Sequence, residues 1–111
     1  MGVKLRDIGV TKNLRVIEWL KAELVESVAA LFKSLMRGGE EAARDALATI
    51  IITTYILGRR VGIGFKDIDR KVQDKLRLSI REAHEVEKWY GDLSGLLKYL
   101  EENKAAGPYP G

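Results

Sequence analysis

Two carboxylates, Glu23 and Glu26, stand three residues apart on what the spacing predicts to be one helical face. They share a stripe with Trp19 and Ala30, at steps of four, three and four, beside the apolar stripe rather than on it. No basic residue separates them there. Lys21 and Lys33 lie near enough to soften their repulsion, so a solvated acidic face is the plain alternative. Further along, Glu40 and Glu41 open a second acidic stretch, and Asp45 follows Glu41 by one turn, directly before Ala46-Leu47-Ala48. First-turn acids meet the helix dipole favourably, which accounts for Glu40 and Glu41 better than for Asp45. An all-oxygen set drawn from Glu23, Glu26, Glu41 and Asp45 suits a hard cation such as Mg²⁺, or Mn²⁺, with water and ligand phosphates completing the shell. Such a metal neutralises phosphate charge and positions a water. Trp19, beside Glu23, suits either stacking on a base or packing in an oligomer interface. His84, the single histidine, sits among Glu82, Glu85 and Glu87 and reads as part of a solvated face.

The elements that must position these groups follow from glycine placement. Prolines occur only at 108 and 110, and Gly38-Gly39, the set Gly58, Gly62 and Gly64, and Gly91 divide the chain into four periodic segments. The first, about Asn13 to Met36, carries Ile17, Leu20, Leu24, Val28, Leu31 and Leu35 at helical spacing, with Thr11 or Asn13 as N-cap. The second, about Glu40 to Arg60, is apolar on nearly every side between Ala46 and Leu57. Its β-branched run Ile50-Ile51-Ile52-Thr53-Thr54 mimics a strand, but its length and helix-forming start predict a helix. The third, from Phe65 to about Tyr90, repeats Phe65, Ile68, Val72, Leu76, Ile80, Ala83 and Val86. A short fourth helix follows Gly91, with Asp92 as N-cap and Leu93, Leu96, Leu97 and Leu100 inward.

Short loops between long helices predict antiparallel neighbours, so the expected architecture is an all-α antiparallel bundle of three long helices and a short C-terminal one. Residues 1–12 read as an N-terminal extension, 13–103 as the helical domain and 104–111 as a flexible tail. The second helix leaves apolar surface that one copy barely covers, which predicts a homodimer or homotetramer. If the two acidic helices fold back about Gly38-Gly39, their carboxylates meet only if the loop takes up part of a difference in register. Glu23 and Glu26 lie three to four turns before the hinge, whereas Glu41 and Asp45 lie within two turns after it.

Composition narrows the function classes. The chain has 111 residues and no cysteine, which excludes disulfides, thiolate metal sites and cysteine nucleophiles. Its net charge of +3 comes from 19 basic residues interspersed with 16 acidic ones. No concentrated basic face results, so no nucleic-acid partner is expected. The start of the chain lacks a signal-peptide core and no apolar run reaches membrane-spanning length, so a cytoplasmic protein with no membrane partner is expected. There is no G-x-x-x-x-G-K-[ST] loop, and Gly62-Ile63-Gly64 lacks the setting of a dinucleotide fingerprint.

Glu23-Leu24-Val25-Glu26, a glycine turn, an acidic helix start and Asp45-Ala46-Leu47 together resemble the MazG pattern, in which an E-x-x-E helix is paired with an E-x-x-D helix. The closer likeness is to the short stand-alone MazG-like proteins. It rests also on Ile17-Glu18-Trp19-Leu20-Lys21, Ser27-Val28-Ala29, Asp45-Ala46-Leu47-Ala48, Arg60-Val61-Gly62-Ile63 and Trp89-Tyr90-Gly91-Asp92-Leu93, and covers about Asn13 to Leu100. The resemblance implies an oligomeric, all-α NTP pyrophosphohydrolase fold, with Mg²⁺-dependent hydrolysis of a nucleoside triphosphate to the monophosphate and pyrophosphate in active members. Carried over by position, Glu23 and Glu26 match the first pair and Asp45 the last acid. The third acid does not match: position 42 is Ala42, and Glu41 is one residue early, about 100° round the helix. The resemblance also implies that Lys71, Lys75 and Arg77 meet phosphates. Their plain alternative is surface pairing, Asp67 with Lys71 and Arg70 with Asp74. Two functions are therefore expected as rivals: a Mg²⁺-dependent NTP pyrophosphohydrolase, or a non-catalytic helical oligomer of the same fold that has lost a metal ligand.

Overall fold

The computed structural model describes residues 5–82 and 85–106. Its helices are α1 (Leu5–Arg37), α2 (Glu40–Arg60), α3 (Phe65–Arg81), α4 (Glu85–Tyr90) and α5 (Asp92–Ala106), and there is no strand among the described residues. The all-α expectation holds. The chain divides into two compact units, Met1–Phe65 and Lys66–Gly111.

In the first unit α1 and α2 form an antiparallel hairpin closed by two glycines. Gly38 adopts φ 72°, a conformation that costs an L side chain about 1–2 kcal/mol. The Gly39 N–H then returns to the Ser34 carbonyl at 2.9 Å, and the Gly39 carbonyl accepts the first α2 bond from the Ala43 N–H at 2.9 Å. The turn thus caps one helix and starts the next within two residues. At its other end α2 closes on Gly62 (φ 96°): the Ile63 N–H reaches the Gly58 carbonyl at 2.8 Å, and the Gly62 N–H the Arg59 carbonyl at 3.1 Å. Tyr55 and Phe65 pack edge to face, 5.8 Å between centroids, and the Arg59 guanidinium lies 4.9 Å over the Phe65 ring. The β-branched run of α2 is helical, as its length predicts. Thr49 and Thr54 donate their hydroxyls to the Asp45 and Ile50 carbonyls one turn back.

The hairpin's inner seam is made mostly of small residues. Leu20, Ser27 and Ser34 of α1 and Ala43, Ala46 and Thr53 of α2 are buried. The seam therefore centres one position away from the expected stripe, so that Leu24, Val28 and Leu31 are only half-buried and Leu35 is exposed. Large apolar residues point outward instead: Val25, Phe32 and Met36 on α1, Leu47, Ile51 and Ile52 on α2. α1 also begins eight residues before the expected Asn13, because nothing from Leu5 onward breaks it. At about 50 Å it overruns the roughly 30 Å of α2.

In the second unit the expected third long helix is interrupted: α3 stops at Arg81 and α4 restarts at Glu85, with Glu85 and Glu87 in its first turn where the dipole favours acids. Residues 83 and 84, His84 included, lie outside the described residues, as do 107–111 of the expected tail. α5 is longer than predicted and runs to Ala106. Its cap also differs. Gly91 (φ 66°) holds the N-cap position, accepting from the Gly95 N–H at 2.9 Å, and Asp92 is already helical. The Glu87 carboxylate supplies the side-chain cap instead, accepting from the Ser94 N–H at 3.0 Å and from the Ser94 hydroxyl. These bonds hold its acidity stronger than that of an ordinary glutamate, the hydroxyl contributing most. No single helix among the described residues is long and apolar enough to cross a membrane.

Candidate functional site

The register of the hairpin decides which carboxylates can cooperate. At its open end the Asn13 side-chain amide donates to the Arg60 carbonyl at 3.1 Å, which sets these two residues level. Both helices rise about 1.5 Å per residue, so thirteen positions inward from that anchor Glu26 is level with Leu47. Glu23 is level with Ile50 by the same step. Asp45 then lies about 3 Å along the axis from Glu26, whereas Glu41 lies about 9 Å from Glu26 and about 14 Å from Glu23. The two-residue turn leaves no length to correct this offset.

Rotation about the helix axes separates them further. At 100° per residue from the buried seams, Glu23, Glu26 and Trp19 of α1 share one flank of the hairpin with Ala42, Asp45 and Thr49 of α2. Glu41 points away from that flank. Its carboxylate is gripped by Arg44 at 2.6 Å, and Arg44 also holds Glu40 at 2.9 Å. These are exposed pairs on consecutive turns, worth at most about 0.5 kcal/mol each. Glu23 is half-buried at the edge of the seam, whereas Glu26 and Asp45 are exposed. Trp19 is 62% exposed, open to a ligand or another chain.

Thus the structure brings Glu23, Glu26 and Asp45 to one side and leaves Glu41 out. Among the described residues no three acidic or histidine side chains stand close enough together to hold a metal ion. The donor set does not fit a cation shared by Glu23, Glu26, Glu41 and Asp45, because one donor is paired with an arginine and faces away.

The three basic residues expected to meet phosphates, Lys71, Lys75 and Arg77, lie in the second unit. Lys71 and Lys75 are exposed on α3, and Arg77 is committed to acids, Glu101 at 3.1 Å and Asp74 at 3.7 Å. The expected i, i+4 pairs along α3 are replaced by i, i+3 ones, Arg70 with Asp67 at 3.8 Å being the other. Sequence reasoning missed two features. Arg44, at i+3 from Glu41 and i+4 from Glu40, was readable from spacing alone. Glu87 as the α5 cap had no such signal, since it depends on the bend at Gly91.

An α-helical hairpin with an E-x-x-E pair on α1, followed by further helices and no strand among the described residues, places the chain in the all-α class. The family model described as the MazG-like family matches residues 10–93, and the chain belongs to that family. Searches of curated proteins and of solved structures each found no match.

Proposed function

We propose that this chain is a non-catalytic MazG-fold protein that works as a helical homo-oligomer. The observation that carries the reading is the Arg44 grip on an outward-facing Glu41, together with Ala42 where the family pattern has an acid. Neither residue offers an oxygen to the flank that holds Glu23 and Glu26. The outward Val25, Phe32, Met36, Leu47, Ile51 and Ile52 supply the apolar surface that a second copy would cover. The test is thermal melting in millimolar Mg²⁺ or Mn²⁺, with and without a nucleoside triphosphate. A ligand that binds the folded state raises the melting temperature by mass action. The expected result is no shift; a metal-dependent rise that Glu26→Gln removes would overturn the reading.

A second reading is favoured by one observation: Asp45 shares its flank with Glu23 and Glu26 and is nearly level with Glu26. In that reading the three carboxylates hold Mg²⁺, Trp19 meets the base, and the chain hydrolyses an NTP to NMP and pyrophosphate. It requires Glu41→Gln to be without effect on activity, since Glu41 is committed to Arg44.

A further inference from the structure

We infer that this chain's cation-holding capacity was lost at Ala46 and Thr49 of α2 rather than at Ala42. The inference deepens the non-catalytic reading and rests on it.

Axial register decides which positions on the two helices can share a cation. A divalent cation holds its oxygens at about 2.0–2.6 Å, so carboxylates on two helices can share one only if their backbones are level within about a helical turn. From the Asn13–Arg60 anchor, Ala46 is level with Ser27 and Thr49 with Leu24. Positions 46 and 49 therefore fall, on the axis, beside Glu26 and Glu23. Ala42 is level with Leu31, about 7 Å beyond Glu26 and farther still from Glu23.

Angular position agrees. Ala46 is buried in the seam and Thr49 is half-buried on the flank that carries Glu23, which is half-buried in turn. Residues 46 and 49 are also three apart, the spacing an E-x-x-D pair requires, so both ligand positions of the second helix are vacated together. An alanine offers no oxygen. The Thr49 hydroxyl is turned back to the Asp45 carbonyl at 3.0 Å. Asp45 then owes its place before the apolar run to the adjoining flank position, not to a ligand role.

The test installs the acids and reads metal binding directly. Mn²⁺ titration would be followed by calorimetry on wild type, Thr49→Asp, the double variant Ala46→Glu with Thr49→Asp, and Ala42→Glu. Helix content is checked by circular dichroism. Thr49→Asp is included because Ala46 is buried and the double variant risks failing to fold; the single change already makes three acids with Glu23 and Glu26. The expected result is Mn²⁺ binding at least about tenfold tighter in Thr49→Asp than in wild type, reversed by adding Glu23→Gln, with no gain in Ala42→Glu. A gain in Ala42→Glu, or no gain in a folded Thr49→Asp, overturns the inference. So does Mn²⁺ binding by wild type that Asp45→Asn abolishes. Pyrophosphate release by wild type would instead overturn the non-catalytic reading itself, so the two failures are told apart.

Discussion

Single side chains in this protein act by choosing partners on the next turn of their own helix or on another helix. Arg44 takes Glu40 and Glu41, Arg77 takes Asp74 and Glu101, and Glu87 takes Ser94. The Glu87 cap has a defined pH signature. Its acidity is strengthened by the Ser94 hydroxyl first and the Ser94 N–H second, so its folded pKa lies below its unfolded one. Its stabilisation is present above the ordinary glutamate range and is lost as pH falls through the lowered folded value. Far-ultraviolet circular dichroism should therefore show helix loss at acid pH that is smaller in Glu87→Gln, whose signal at neutral pH should already match the acid form. Equal acid sensitivity in the two proteins would contradict the cap. Arg44→Ala should cost no more than about 1 kcal/mol in urea melts, because both its partners are exposed.

At the scale of elements, two glycines do what the rest of the hairpin depends on. Gly38→Ala places a side chain at φ 72° and should destabilise the protein by about 1–2 kcal/mol in urea unfolding, though a Cβ there would meet no atom within 4 Å. Gly39→Ala, at φ −83°, should cost clearly less; comparable losses would show that space rather than backbone conformation matters. The helices themselves were legible in the sequence wherever a glycine ended an apolar repeat, as at Gly38, Gly62 and Gly91. The break between α3 and α4 was not, because Ala83 and Val86 continue the repeat across it and no glycine or proline marks the place. The candidate site was half legible. Spacing found Glu23 and Glu26, but which α2 residues face them depends on the register set at the Gly38-Gly39 turn and by the Asn13–Arg60 bond, and that register is not written in residue type. The seam's use of Ser27, Ser34 and Thr53 was hidden for the same reason, since polar residues at helical spacing read as surface.

At the scale of the molecule, the proposed homo-oligomer rests on the large apolar residues that the hairpin turns outward while its seam is built mostly of serine, alanine and threonine. Light scattering at micromolar concentration should give at least twice the 12.4 kDa chain mass, and Ile51→Glu or Phe32→Glu should shift it towards the monomer. A wild-type monomer would contradict this. The chain belongs to the MazG-like family, while α2 brings only Asp45 to the flank of Glu23 and Glu26 and leaves Glu41 paired with Arg44. Those two facts meet in one measurement, pyrophosphate release from a panel of canonical and damaged nucleoside triphosphates in millimolar Mg²⁺ or Mn²⁺. The account predicts release no faster than in the protein-free blank for every nucleotide. Metal-dependent release from any of them, abolished by Glu23→Gln or Glu26→Gln, would contradict it.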